Sequence, residues 1–486
     1  MKQNISFLRR YTKIFLFIYV FTLFILYATL SILRHMHFQS GGFDLGLYDQ
    51  AVWKFGHGFD LYNTVKGRII FGDHLVLTLP FLSPLLYIWN DVRVLLIVQT
   101  FSIALSTIPI YFIALKRISS HIVSWTVTIL YSLFFGIQFG VFFDFHPIIL
   151  GVSLLAFLCW SIEYGKKRLF WFFLVLSLLT QENMGIAVAC VGMCYLLRLS
   201  RSKREERITA IMLMFIGIFY SILALKITAL FSPIGYEYTP VFPHSIGEYL
   251  KQLFDSEEKQ LTWLYSYSWF SFVPLLSPGS LMAVVTDLSQ YYATGVNYSR
   301  MWSPFMHHRA ILSIFLTLGL LDILTFLSRW KRICIIICCL LLLVAGTCQY
   351  QFHFALNKLV KAEYWKEESW MKDDRELIAL VPHEVSVATQ QNLVPHLSHR
   401  KEIYLIYPRQ KDTVDQPCGQ KLCWWLDFSG KPAYLVVDTR PGQWLTQTLE
   451  SDDHWLSAIA NMEKSDVIRL EKQIGGARMY KVMNNE

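Results

Sequence analysis

The chain has 486 residues, 54% hydrophobic and 16% aromatic, with only 16% charged, whereas a soluble globular protein carries roughly a quarter charged residues. Of its 80 charged side chains, 36 fall in residues 351–486. Such a division excludes a purely cytosolic enzyme, a disordered regulator and a disulfide-stapled secreted module, and points to a lipid-embedded body (residues 1–350) joined to a water-soluble tail (residues 351–486).

The net charge of +8 divides into about +10 for the body and −2 for the tail. In the body the basic residues fall in short clusters between apolar runs, which is the distribution of cytoplasmic loops rather than of a nucleic-acid surface. No nucleic acid is therefore expected as a partner; membrane lipid is.

In chain order, residues 14–33 form the first apolar run, preceded by Lys2, Arg9, Arg10 and Lys13. It lacks a small-residue cleavage site and reads as an uncleaved anchor in the cell membrane, with the N-terminus in the cytoplasm. Further apolar runs lie near 92–115, 119–142, 147–164, 168–181, 184–198, 207–230, 261–276, 278–290, 305–328 and 332–349. At about 20 apolar residues per crossing, these predict an α-helical polytopic membrane protein of about 11 transmembrane helices. Lys116-Arg117, Lys166-Lys167-Arg168, the run Arg198 to Arg207, and Arg329 with Lys331-Arg332 then follow every second span and fall inside. The same alternation puts the large loop 34–91, the turns 143–146 and 181–183, and the whole tail outside.

In the tail, the candidate strands are Val385–Thr389, Ile403–Tyr407, Tyr434–Asp438 and Arg478–Val482, with amphipathic helices near 364–380 and 443–462. The tail is thus an extracytoplasmic α/β domain. Seven of the nine cysteines lie in apolar runs as small packing residues. Cys418 and Cys423 lie on the oxidising side, where a disulfide closing their short loop is expected.

The outer loops carry the candidate chemistry. Asp44 and Asp49 stand in the first loop within Gly41-Gly42-Phe43-Asp44-Leu45-Gly46-Leu47-Tyr48-Asp49-Gln50-Ala51-Val52-Trp53. On a helix they would be about 140° apart, and Asp44 can equally be an N-cap. The loop ends with Gly72-Asp73-His74, a carboxylate beside an imidazole, suited to proton transfer or to one side of a metal site. Phe143-Asp144-Phe145-His146-Pro147 and Thr180-Gln181-Glu182-Asn183 occupy tight outer turns. Acids so close to hydrocarbon are costly unless they are paired or face a wet cavity, which makes a functional role the default. Asp44, Asp49, Asp73, His74 and Glu182 are the expected catalytic set.

These motifs, with Val394-Pro395-His396-Leu397-Ser398 and Arg400 in the tail, resemble a prokaryotic family of multi-spanning membrane proteins of unknown function related to the GT-C glycosyltransferase superfamily. That resemblance implies a GT-C-like fold, a sugar donor carried on polyprenyl phosphate, an acceptor not specified by sequence, and Asp44 as the acid of the first outer loop. Gln181 stands where a basic residue would precede the acid.

The implied reaction is an inverting transfer in the outer leaflet, with Asp44 as general base or as ligand of a divalent cation. Arg68, Arg93, Arg300 and Arg309 are the outer-side groups whose planar forks suit a lipid phosphate, and Asp144, His146 and Gln181 complete the expected substrate contacts. The rival class is a non-catalytic membrane protein, either a lipid-linked-substrate transporter or an envelope scaffold. Asp322, the one clear acid inside an apolar run, is the feature that favours a transporter.

Overall fold

A computed structural model describes residues 2–199, 203–445 and 452–483. Part of the expected basic run Arg198 to Arg207 and part of the expected helix 443–462 lie outside the described residues. The chain divides into two compact units. A helical unit comprises Met1–Ser31, His74–Thr78 and Leu96–Tyr364, and an α/β unit comprises Ile32–Asp73, Leu79–Leu95 and Trp365–Glu486.

Five helices among the described residues are long and apolar enough to cross a membrane: Tyr11–Met36, Arg93–Ile118, Arg204–Leu230, His307–Phe326 and Lys331–Phe352. The pair His121–Ser132 and Phe135–Phe143, bent by 40°, makes a sixth if it is one span. The expectation of about eleven spans is corrected accordingly. Apolar composition cannot distinguish a spanning helix from one buried among others; length can. The runs at 147–164, 168–181, 184–198, 261–276 and 278–290 contain helices of 17, 13, 13, 12 and 15 residues. At 1.5 Å rise per residue most of these reach about 20 Å, against roughly 30 Å of hydrocarbon.

The long helices carry exposed apolar stripes, among them Phe15, Phe17 and Phe21 on the first, Ile211, Phe215, Phe219 and Ile222 on the third, and Ile336, Leu340 and Leu343 on the last. Continuous apolar surface of this kind needs a partner, and lipid is the one that matches these lengths. Inside the unit, helix Met184–Leu196 packs backbone to backbone on Arg204–Leu230. A Cβ on Gly185 would collide with the Gly217 carbonyl, and one on Gly192 would lie 2.6 Å from the Ala210 carbonyl. Small residues at the seam permit this approach, and it seats the turn bearing Glu182 against Ser221.

The α/β unit is built on a six-stranded mixed sheet. The strands of the chain are β1 (Tyr62–Asn63), β2 (Arg68–Ile69), β3 (Val387–Thr389), β4 (Ile403–Asp412), β5 (Leu422–Phe428), β6 (Tyr434–Asp438), β7 (Ile468–Ile474) and β8 (Ala477–Val482). β1 and β2 form a small hairpin; the large sheet has the order β5-β4-β3-β6-β8-β7. β3 pairs in parallel with both β4 and β6, and the remaining pairings are antiparallel.

Alternate residues feed two cores. Val387, Ile403, Leu405, Val436 and Met479 join Met371 and Leu377 of helix Ser369–Ala379. Ala388, Tyr404, Ile406, Leu435, Val437 and Tyr480 join Trp455, Ile459 and Met462 of helix Asp452–Lys464. The period of two along each strand therefore produces a three-layer arrangement with one helix on each face. Phe38 and Val65 of the first loop belong to the first of these cores. Cys418 and Cys423 are bridged, at the turn from β4 to β5.

Candidate functional site

In the helical unit, Glu182 precedes helix Met184–Leu196 and is 1% exposed. Three donors fix its carboxylate. His74 Nδ1 donates to Oε1 at 2.7 Å, the Leu75 amide to Oε2 at 3.0 Å, and the Tyr236 hydroxyl to Oε1 at 3.1 Å. A carboxylate can only accept, so Nδ1 carries the hydrogen and, in the neutral ring, Nε2 carries the lone pair. Gln181 Nε2 lies 3.3 Å from the same Nδ1; it packs there, since that nitrogen already donates to Glu182. Tyr238 stacks on the His74 ring at 5.4 Å. A buried carboxylate that orients an imidazole equips that ring to move a proton.

The turn Asp144–His146 is clamped by Gln99, whose amide donates to the Asp144 carbonyl at 2.8 Å and accepts from the His146 amide at 2.8 Å. Asp144 adopts φ 146°, a strained conformation for a residue with a Cβ. The His146 ring stacks on His307 at 3.5 Å, His307 meets His308 at 4.3 Å, and His308 stacks on Tyr291 at 4.3 Å. Tyr291 accepts a hydrogen bond from Asn183, next to Glu182, at 2.9 Å. A chain of imidazoles and one phenol therefore ends beside the Glu182 turn.

In the α/β unit, Asp44 sits half-buried in a single π-type turn, Gly42–Gly46, that leads into helix Leu47–Gly56. A Cβ on Gly42 or Gly46 would lie 2.9 or 2.7 Å from Val394, so these glycines let the turn approach the tail segment 394–397. Asp49 is fully buried. It accepts from Ser398 Oγ at 2.5 Å and binds His399 Nε2 at 3.0–3.1 Å. Burial opposes charge on His399, but the Asp49 carboxylate more than reverses this and holds the imidazole above its ordinary 6.5. Asp73 pairs with Lys66 at 3.0 Å.

The five expected catalytic residues thus divide between the units: His74 and Glu182 in the helical one, Asp44, Asp49 and Asp73 in the other. The four arginines differ in what they can offer. Arg309 is fully buried; its Nε and Nη2 donate to the carbonyls of Ser303 and Met301, and its Nη1 has no hydrogen-bond partner. Arg93 forms a fork with Asp91, at 2.8 and 2.5 Å. Arg300 is exposed, and Arg68 is half-buried in β2.

Sequence reasoning missed Tyr236, Gln99, His35 and His399. His399 carried the one usable signal, since it falls inside the quoted segment between Ser398 and Arg400. Among the described residues, no three His, Cys, Asp or Glu side chains are arranged to hold a metal ion.

The fold and these sites define a polytopic helical membrane protein with a sheet-containing C-terminal region and two separate carboxylate–imidazole pairs. The chain belongs to the family described as "Predicted membrane protein (DUF2079)", whose model matches residues 34–432. That is a family of membrane proteins of unknown function. No curated protein matches the chain.

Proposed function

We propose that the protein is a membrane glycosyltransferase-like enzyme that moves a sugar from a polyprenyl-phosphate carrier to an acceptor at the outer face of the membrane. The observation that carries this reading is the Glu182–His74 pair. It is a buried acid–base unit with a fixed tautomer, held at the ends of apolar helices where a lipid-linked head group would arrive.

In the transfer, an acceptor hydroxyl attacks the anomeric carbon and its proton passes to the base. The bond from that carbon to the phosphate oxygen breaks, and the electron pair leaves on the lipid phosphate. His74, oriented by Glu182, is suited to take the proton. Asp44 is the first-loop acid by resemblance, and a GT-C-like relationship remains part of this proposal.

The transporter reading loses its main support. Asp322 accepts from the Leu199 amide at 2.9–3.0 Å and from Ser277 Oγ at 2.9 Å, a contact that ties its helix to neighbouring segments. The outward placement of the tail is likewise proposed. With the N-terminus in the cytoplasm it requires an odd number of crossings, as five would be.

The test uses membranes containing the full chain and polyprenyl-phosphate donors that carry radiolabelled hexose, pentose or aminosugar. Transfer of label from the lipid to a water-soluble or second lipid fraction is the expected result. Absence of transfer from every donor, with folded protein present, overturns the proposal.

A further inference from the structure

The α/β unit holds a cavity of about 730 Å³ that the proposed reaction does not use. Its walls bring together His399, the partner of Asp49, with the Asp91–Arg93 fork, Trp53 and two more histidines, His35 and His396.

Three features describe what it would take. The first is a stack of near-parallel rings. Trp53 lies 4.1 Å from His57, 5.6 Å from Phe59 and 6.3 Å from His399, with interplanar angles of 26°, 22° and 22°. His57 and Phe59 at one end of this stack are exposed. Such rings offer broad apolar faces without flexible side chains.

The second is balanced charge. Arg93 is matched by Asp91, Arg375 by Glu367 and His399 by Asp49. Arg400 is buried and donates to the carbonyls of Leu397, Pro382 and Val385, holding the turn that carries His396 and His399. A cavity tuned to a phosphate dianion would keep an unmatched cationic fork; here every fork is already engaged.

The third is unspent hydrogen-bonding capacity. His35 and His396 stack on each other at 4.1 Å in the wall, and their unpartnered Nδ1 and Nε2 are buried within it, out of reach of a ligand. His399, 18% exposed, commits Nε2 to Asp49, so its Nδ1 remains for a ligand and can accept from, or when protonated donate to, a hydroxyl.

Apolar ring faces, fixed hydrogen-bonding groups and no net charge to neutralise together match a neutral, hydroxyl-rich ring. We infer that this cavity is a saccharide-binding site in which the sugar packs along the Trp53 ring stack and His399 Nδ1 holds one of its hydroxyls. This binding does not rest on the transferase reading.

The inference is tested by isothermal titration of the full-length protein in nanodiscs. The ligands are soluble oligosaccharides ending in glucose, galactose, mannose, rhamnose, arabinose or N-acetylglucosamine, with inorganic pyrophosphate as the anionic probe. Saturable binding of at least one saccharide is expected. Trp53→Ala should weaken it by about 5–10-fold, the scale of one aromatic contact, and His399→Gln by a similar factor, while Trp53→Phe stays close to wild type and certifies the fold. Binding of pyrophosphate alone, no binding at millimolar saccharide, or unchanged binding in Trp53→Ala would each overturn it. Because binding is read without transfer, saccharide binding in a protein inactive with every donor refutes the transferase reading and leaves the site standing.

Discussion

His74 Nδ1 and Glu182 Oε1, separated by 108 residues in sequence, lie 2.7 Å apart with the carboxylate almost completely buried. The Leu75 amide fixes the other carboxylate oxygen, so the imidazole is oriented by an acid that cannot swing away. Glu182→Gln keeps the shape and the acceptor for the Leu75 amide but removes the charge that stabilises a protonated ring. Transfer activity should fall by about 10²–10⁴, the usual contribution of a positioned acid–base group, while gel-filtration behaviour stays that of wild type. Transfer at the wild-type rate would remove the pair from the chemistry.

Asp44→Asn separates shape from charge. The expected N-cap role of Asp44 is not found, since Gly41 and Gly46 hold the cap positions and no side chain caps either. Asn keeps the size of Asp, so a purely structural Asp44 predicts little change, whereas the first-loop acid of the proposed reaction predicts loss of transfer. Asp255→Asn is the matched control. Asp255 is half exposed but its partner Lys259, four residues on, is buried, so this control also reads what the loss of a structural ion pair does to the fold. Equal transfer by both variants, measured in the same membranes, would sink the role of Asp44.

Asp374 should make the α/β unit less stable as pH rises. Burial pushes its carboxyl up from 3.8 to about 7, with Arg440, 3.6 Å away, only partly opposing this. The folded state therefore holds a proton that the unfolded state has already released, so stability is greatest below pH 3.8, falls between about pH 4 and 7, and is flat above. In Asp374→Asn this part of the slope should vanish, raising Tm most at pH 8. Thermal melts of the full chain at pH 5, 6, 7 and 8 check it; parallel Tm profiles for the two proteins would contradict it.

The Cys418–Cys423 bridge closes a loop with a sequence separation of only five. On the entropic model such a loop is worth about 2 kcal/mol, less than a long one. Mass mapping without reductant should find the linked peptide, and reduction should lower Tm by only a few degrees. Two freely alkylated thiols would exclude the bridge.

A reporter active only in the cytoplasm, fused after the last residue, should be silent, and a periplasmic one active. The opposite pattern would place the tail inside. It would fit the bent pair His121–Ser132 and Phe135–Phe143 crossing as a sixth span, and would move the proposed chemistry to the other face.

The sequence by itself determined the properties that are sums over many residues. Apolar runs marked a membrane protein, and charge density marked a water-soluble tail. Short apolar, β-branched and aromatic runs located β3, β4, β6 and β8, because both faces of those strands are buried and nearly every residue is apolar. They missed β7, a sheet-edge strand whose central residues are all exposed, and β5, where no clean alternation survives. Tertiary structure alone decided which apolar helices are long enough to cross, since a short buried helix and a span share one composition. It alone placed Phe38 and Val65 of the first loop in a core with the tail. It also brought His74 to Glu182, and Asp49 to Ser398 and His399, across 108 to 350 residues. Pattern in a sequence is local, and an acid–base pair is made by two groups whose separation in space is set by every contact between them.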